Sequence, residues 1–439
     1  MWPGLSRIIL HLLAFCAPFI VIIFFHFHSD HGLLSEIAKN FALLGFVVLI
    51  LQPVLGGRFK WIERPFGLDI LFRYHKYMGV FAACLLLIHP LLLAAGGGGL
   101  HLLFSLNVPW YIWLGKIALF LLLVNIGLSL YQSSLHLKFE KWRLGHDALA
   151  VLIIVLAFTH SWFAGHDLKI LPMKFLWVIA LGAAAVTFVY HRIIRPYRLG
   201  RHKYSVADVQ AETKNVWIVN LSPPEGEKPY DFLPGQFHFL TFHRDRNLPE
   251  EEHHWTISSS PTQKGYISST IKELGDFTST IGQTRPGDTA TVHGPFGRFS
   301  YLLHPEEKDL VFISGGIGIT PLMSMLRHMR DTQSTLPVLL LYASEDEEEV
   351  IFRQELFEIE AGGFPRLKVV LVLSKPRKDW SGEKGYINRK IIEKYTEGRI
   401  KGKGFYICGP PGLIDLTLRI LGELGAPDER IHIEIFSFL

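Results

Sequence analysis

Cysteine is scarce in this 439-residue chain. Its three residues, Cys16, Cys84 and Cys408, are spaced to make neither a disulfide framework nor a thiolate metal motif. Two of them sit in apolar runs, where a thiol packs as a small hydrophobe. No D-x-[DN]-x-[DN]-G loop is present, and the acidic run from Glu345 to Glu349 lacks that spacing, so calcium control has no basis here. Strong charge of either sign is missing as well. The 44 Lys and Arg against 40 Asp and Glu leave +4, and the basic residues gather at the edges of apolar runs, which excludes nucleic acid as a partner. Charge is thinnest before about residue 192, where the long hydrophobic runs lie. At 49% hydrophobic residues the chain is too apolar for an ordinary soluble enzyme. Beyond residue 192, Gly, Pro and charge return to globular levels. The chain reads as a membrane half followed by a soluble half.

Six segments are long enough to span a bilayer, at approximately 8–28, 34–55, 72–95, 110–131, 145–164 and 172–192. The first is too long for the apolar core of a signal peptide and no small-residue cleavage motif follows, so it is expected as a helix. Lys and Arg set the orientation. The connection 56–76 holds Arg58, Lys60, Arg64, Arg73 and Lys76; that after the fourth segment holds Lys138, Lys141 and Arg143; Arg192, Arg195, Arg198, Arg201 and Lys203 follow the sixth. The opposite connections carry only Lys39, Lys169 and Lys174. Both termini and the soluble half are therefore expected on the cytoplasmic side.

The third and fifth segments each carry two histidines fourteen residues apart, His75 with His89 and His146 with His160. Fourteen residues close to within roughly 40° of four helical turns and rise about 21 Å. Each pair thus shares one helix face, one member toward each side of the membrane. Both helices run outward from a basic loop, so His75 pairs with His146 on the inner side and His89 with His160 on the outer side. Neutral imidazole is a good axial ligand for haem iron, and ionisable residues inside a membrane are rare. A single such histidine reads equally well as an interfacial or helix-bridging residue. Repetition of the spacing favours two bis-histidine haem sites. His26, His28, His31 and His101 at the outer side, and His11, His136, His166 and His191 near segment ends, read as interfacial.

From Tyr204 to about Tyr301, short alternating runs broken by turn residues indicate an antiparallel β-barrel, with strands at Val216–Leu221, Gln236–Phe242, Tyr266–Lys272 and Thr289–Val292. The texture then changes to βα alternation. The apolar strand Asp309–Ser314 leads into Gly315-Gly316-Ile317-Gly318-Ile319-Thr320-Pro321 and a helical run to about Arg330. Glycines at such a turn let backbone N–H groups approach a pyrophosphate at a helix N-terminus, although a tight packing turn has the same look. The expected fold is a six-helix transmembrane bundle over 1–200, an antiparallel barrel over 201–303 and an α/β Rossmann-like domain over 304–439.

An ordered series of motifs runs through the soluble half: Pro234-Gly235-Gln236-Phe237, His253-His254-Trp255-Thr256-Ile257-Ser258-Ser259, Lys272-x-Leu274-Gly275-Asp276-Phe277-Thr278, Gly294-Pro295-Phe296-Gly297, the glycine turn, Tyr406-Ile407-Cys408-Gly409-Pro410-Pro411, and the ending Glu434-Ile435-Phe436-Ser437-Phe438-Leu439. This series resembles the ferredoxin–NADP reductase superfamily. Joined to the double-histidine helices, it resembles the bacterial NADPH oxidase and ferric reductase family along nearly the whole chain. The resemblance implies that His253, Trp255, Thr256 and Ser258 line a flavin, with Thr256 bonding the isoalloxazine edge. His254 stands where the family usually has Pro. Lys272, Gly275, Asp276 and Thr278 then hold the FAD pyrophosphate. Gly315, Gly316, Gly318, Thr320 and Pro321 form the pyridine-nucleotide turn. Cys408, Gly409 and Pro410 lie beside the nicotinamide, and Phe436 stacks on the flavin until the nicotinamide displaces it. His75, His89, His146 and His160 are the implied haem ligands, with Phe436, Cys408 and Thr256 nearest the hydride chemistry.

Relatives selective for NADPH often place Arg near the position of Ser344. Here Glu345-Asp346-Glu347-Glu348-Glu349 follows instead, repelling a 2′-phosphate unless Lys375, Arg377 and Lys378 compensate, so NADH or both nucleotides are expected. The implied cofactors are FAD and two b-type haems, with NAD(P)H as substrate. The implied activity carries electrons from cytoplasmic NAD(P)H across a bacterial cytoplasmic membrane to an outer acceptor, dioxygen giving superoxide or a ferric chelate giving ferrous iron. Two other readings fit the same residues. In one, the membrane half hands electrons to a quinone or a partner protein; in the other it is a transporter or plain anchor for the reductase.

Overall fold

The computed structural model describes residues 4–24, 32–245 and 247–435, with Leu102 as backbone only. The chain divides into two compact units, Met1–Pro196 and Tyr197–Leu439.

In the first unit six helices are long and apolar enough to cross a membrane: Leu5–Phe24, Leu33–Gly56, Leu68–Gly98, Trp110–Leu130, Phe139–Ala164 and Leu171–Gly200. The second packs mainly on the third and the fourth on the fifth. Small residues permit the close approach. Ala38 and Ala82 are fully buried, and a Cβ at Gly45 would stand 2.7 Å from Leu86 Cγ. A cluster around Phe46, Met173 and Trp177 joins the second and sixth spans, Trp177 stacking on Phe46 and donating from its indole nitrogen to Ser161 Oγ at 3.0 Å. Apolar side chains such as Ile23, Phe120, Ile179 and Val186 face outward, as lipid-facing positions do.

Several helices run past their apolar segments. Arg73, Lys76, Lys141 and Arg143, expected in connections, lie instead in the first turns of the third and fifth spans, and the sixth continues through a wider π-type turn at Tyr190–Ile194 to Gly200, taking Arg192, Arg195 and Arg198 into helix. The backbone satisfies its own hydrogen bonds whatever the side chains, and long basic side chains can reach water from a helix end. Hydropathy marks where hydrocarbon ends; it does not mark where the helix ends. His26, His28 and His31 lie outside the described residues.

The second unit opens with six antiparallel strands: β1 (Tyr204–Thr213), β2 (Val216–Ser222), β3 (Phe237–His243), β4 (Glu252–Thr256), β5 (Ile267–Lys272) and β6 (Thr289–Phe296). Their order is β4-β3-β6-β1-β2-β5, and a bridge between Ile257 and Ser269 joins the two outer strands, closing the sheet into a barrel. Val206, Val219, Leu221, Leu240, Ile271 and Ala290 fill it, and Ile281 of the turn Thr278–Gln283 joins this core.

A parallel sheet follows, formed by β7 (Leu310–Gly315), β8 (Pro337–Ser344), β9 (Arg366–Leu373), β10 (Glu383–Lys384), β11 (Gly404–Cys408) and β12 (Ile431–Glu434) in the order β10-β9-β8-β7-β11-β12. The chain builds outward from β7 in one direction and then returns to place β11 on its other side. Ligands of such sheets bind at this reversal, outside the carboxyl ends of the strands. Barrel and sheet domain are tied together: Arg327 donates to the Ser258 carbonyl at 2.7 Å, Ser324 to the Ser259 carbonyl at 2.7 Å, and Glu212 accepts from the Phe352 backbone N–H at 2.7 Å.

Candidate functional site

In the membrane unit, three of the four histidines of the third and fifth spans lean Nδ1 on a neighbouring helix. His89 Nδ1 lies 2.8 Å from the Ala38 carbonyl of the second span, and His160 Nδ1 lies 2.8 Å from the Tyr111 carbonyl of the fourth. A carbonyl only accepts, so Nδ1 carries the proton and Nε2 keeps its lone pair, the tautomer suited to metal ligation. His146 Nδ1 lies 3.1 Å from Ser129 Oγ, whose own hydrogen goes to the Asn125 carbonyl at 2.7 Å. The serine oxygen therefore accepts, and His146 takes the same tautomer. His75 Nδ1 is buried toward the Gln52 carbonyl without a well-aligned bond. Third-span histidines thus rest on the second span, and fifth-span histidines on the fourth.

His75 and His146 face one another with ring centres 6.2 Å apart and planes at 63°. Two imidazoles that share one metal across it have ring centres roughly 6.4 Å apart, taking about 2 Å for each metal–nitrogen bond and about 1.2 Å from nitrogen to ring centre. The inner pair is therefore spaced so that both histidines would hold one haem iron. Gly115 admits the His160 ring, since a Cβ there would stand 2.7 Å from His160 Nδ1. Near the inner pair Asp147 pairs with Arg192, and Arg195 donates to the Gly57 carbonyl at 2.7 Å. Ala38, Tyr111, Ser129 and Gly115 escaped the sequence reading. Two of them act through backbone carbonyls, which carry no side-chain signature, and the others look like ordinary small residues in apolar helices.

In the barrel, pairing sets Thr256 opposite Phe237 and His254 opposite Phe239, with Trp255 opposite His238 and His253 opposite Leu240. Side chains alternate along a strand, so His253 and Trp255 share one face and Thr256 lies on the other. His253 meets Phe277 at 4.3 Å between ring centres and pairs with Glu251 at 3.1 Å, joining this strand to the Lys272–Thr278 segment. Thr256 is buried, and the Trp255 indole nitrogen is buried without a hydrogen-bond partner, a donor in want of an acceptor. Ser258 is fully buried, its hydroxyl bonded to Thr270 Oγ1 at 2.8 Å, so it meets other groups chiefly through the carbonyl that accepts Arg327. Thr278 Oγ1 accepts from the backbone N–H groups of Leu274 and Gly275, both at 2.8 Å, and shapes the turn that presents Gly275 and Asp276. A Cβ at Gly275 would meet nothing within 4 Å, so this backbone has open space beside it. Lys272 reaches Glu349 at 3.1 Å.

Gly315, Gly316 and Gly318 lie at the carboxyl end of β7, directly before the helix Ile319–Asp331, and Cys408, Gly409 and Pro410 lie at the end of β11 beside it. Both groups meet at the reversal point of the sheet. Contact is tight: a Cβ on Gly318 would stand 2.3 Å from the Cys408 carbonyl, and one on Gly315 would stand 3.0 Å from Pro410 Cδ. Gly316, at φ +54, supplies the left-handed step. Thr320 and Pro321 are buried in the first helical turn. Cys408 is fully buried, and burial first, then the Glu434 carboxylate, pushes its thiol well up, so it stays protonated. Phe436 lies outside the described residues. Two of the three cations after β9 are already engaged: Lys375 pairs with Glu345 at 2.5 Å and Arg377 with Glu348.

Three known families match successive segments: the ferric reductase like transmembrane component over residues 41–157, the oxidoreductase FAD-binding domain over 203–301 and the oxidoreductase NAD-binding domain over 312–419. The chain has the architecture of the NADPH oxidase and ferric reductase family. A transmembrane segment of ferric-reductase type is thus followed by FAD-binding and NAD-binding domains of oxidoreductase type. His75, His89 and His146 fall inside the first matched segment, and His160 lies three residues beyond it. A flavohemoprotein of Bacillus subtilis is 28% identical over 53% of this chain and 59% of its own length. Cytochrome b5 reductase 4 of Rattus norvegicus is 30% identical over 39% of this chain and 34% of its own length. The chain thus spans less than two thirds of these relatives. The solved FAD/NAD-binding domain of nitric oxide dioxygenase from Vibrio cholerae is 23% identical, with TM-score 0.48, over 53% of this chain and 97% of that one.

Proposed function

We propose that this protein moves electrons from NAD(P)H on the cytoplasmic side to dioxygen on the outer side of a bacterial membrane, releasing superoxide. Bound FAD would accept hydride and release single electrons, and two bound b-type haems would relay them one at a time. The observation that carries the reading is the arrangement of His75, His89, His146 and His160, three of them with Nδ1 bonded to an adjacent span and Nε2 left for iron, and His75 facing His146.

The residues divide the work. His75 with His146, and His89 with His160, would hold the haems, the tautomers of His89, His160 and His146 set by Ala38, Tyr111 and Ser129. Gly275, Asp276 and Thr278 would offer backbone donors to the FAD pyrophosphate, with Lys272 adding charge. His253, Trp255 and Thr256 would border the flavin across the end of β4, since they lie on both of its faces. Gly315, Gly316, Gly318 and Thr320 would cradle the nucleotide, and Cys408, Gly409 and Pro410 would flank the nicotinamide. Phe436 would cover the flavin between turnovers. NADH is the favoured nucleotide, because Glu345 and Glu348 hold two of the three cations that could meet a 2′-phosphate.

The test is purified full-length protein in sealed vesicles, with haem and FAD supplied. Reduced-minus-oxidised spectra should show b-type bands, and external superoxide should follow internal NADH. His89→Leu should abolish that superoxide while leaving NADH-to-dye reduction intact. Superoxide formation undiminished in His89→Leu would refute the path. External ferrous iron without superoxide would replace dioxygen by a ferric chelate as the acceptor.

A further inference from the structure

A histidine–carboxylate cluster lies outside all three matched family segments. His304 follows the short turn Tyr301–Leu303, Glu307 precedes β7, and His432 lies on β12. Their ligand atoms all lie within 4.8 Å of one another. Glu307 is only 3% exposed, and a carboxylate so far from water must be paired or coordinate a metal. One of its oxygens, Oε2, accepts the hydroxyl of fully buried Tyr406 at 2.7 Å. The other, Oε1, lies 2.8 Å from His432 Nε2. His304 stacks on His432 with ring centres 3.8 Å apart and planes at 30°, and its Nδ1 lies 3.7 Å from Glu306.

Two imidazoles in face contact disfavour double protonation, and neutral imidazoles are metal ligands. A carboxylate held from behind by a phenol, with its other oxygen on His432 Nε2, has the outer support that ligating groups usually have. We propose that His304, Glu307 and His432 bind one late first-row divalent cation, of zinc type, with a fourth position open to water. Donor atoms around tetrahedral zinc stand roughly 3.3 Å apart, so the rings must close by about 1–1.5 Å. Both histidines are partly exposed. The ion would staple the last described strand to the segment joining barrel and sheet domain. β12 ends two residues before Phe436 in sequence, so this staple would anchor the strand leading to the chain's final aromatic motif.

The test uses tag-free full-length protein in lipid nanodiscs, stripped with chelator, loaded with zinc and desalted. Zinc is counted by mass spectrometry separately from haem iron. Wild type should retain about one zinc per chain, and His304→Gln and His432→Gln should each retain less than about half as much. Unchanged FAD content would show that the variants are folded. Cobalt in place of zinc should give visible d–d absorption in wild type and not in His432→Gln. Any other pattern, including equal retention by wild type and both variants, overturns the site.

Discussion

Gly115 gives the sharpest handle on the membrane path. In Gly115→Ala the new Cβ would stand 2.7 Å from His160 Nδ1 and 2.8 Å from its Cε1 and Cγ, where ordinary contacts begin near 3.4 Å. The ring must retreat by roughly 0.7 Å, and the 2.8 Å hydrogen bond to the Tyr111 carbonyl then stretches to the edge of the useful range. Losing such an outer-shell partner typically lowers metal affinity by about 10–100-fold, or about 1.4–2.8 kcal/mol. The helix itself gains, since Ala is favoured over Gly in a helix interior by about 1 kcal/mol. A defect would therefore report on the site and not on folding. Gly127, on the same helix, has nothing within 4 Å of its would-be Cβ and supplies the control as Gly127→Ala. Haem per chain should drop in Gly115→Ala toward one and stay at the wild-type value in Gly127→Ala, with NADH still reducing the remaining haem and vesicle superoxide falling at least about tenfold. Unchanged haem content, potentials and superoxide yield in Gly115→Ala would refute the assignment of His160 as a ligand held by Tyr111.

Other outcomes follow from the reductase half. Gly318→Ala pushes a methyl into the Cys408 carbonyl at 2.3 Å, backbone against backbone, so stopped-flow flavin reduction by NADH should slow by about 100-fold or more while FAD stays bound. Glu345→Arg replaces the anion that holds Lys375 by a second cation, and the NADPH-to-NADH ratio of kcat/KM should rise by about tenfold; an unchanged ratio places the 2′-position elsewhere. His238 is fully buried between Tyr230 and Ser269, and burial pulls its pKa from 6.5 down to about 3. Unfolded chains bind that proton first, so the reductase half should lose stability as pH falls from 6.5 toward 3, by up to about 1.4 kcal/mol per unit. The slope should flatten in His238→Gln, followed by flavin release against pH in the full-length protein.

Much of the architecture was legible because its signals are local. Long apolar runs mark spans wherever they occur, alternation marks half-buried strands, and Gly315–Pro321 announces a strand-to-helix turn. The helix ends were less legible: Arg73 and Arg143 sit in helix because backbone hydrogen bonding continues after hydrophobicity stops. The division of β4 was hidden as well, since motif order says nothing of which face Thr256 and His253 take until β3 fixes the pairing. The engagement of Lys375 and Arg377 by the acidic run required β8 and β9 to lie side by side.

By itself the sequence determined the division into membrane and reductase halves, the helical spacing of His75 with His89 and of His146 with His160, and the order of the flavin and nucleotide motifs. Those depend on periodicity and composition along the chain. Only the tertiary structure decided what holds His89, His146 and His160, why a Cβ at Gly115 would meet the His160 ring, and that His304, Glu307 and His432 meet. Each of these requires residues from distant segments to occupy one place, and that proximity comes from packing between helices and pairing between strands.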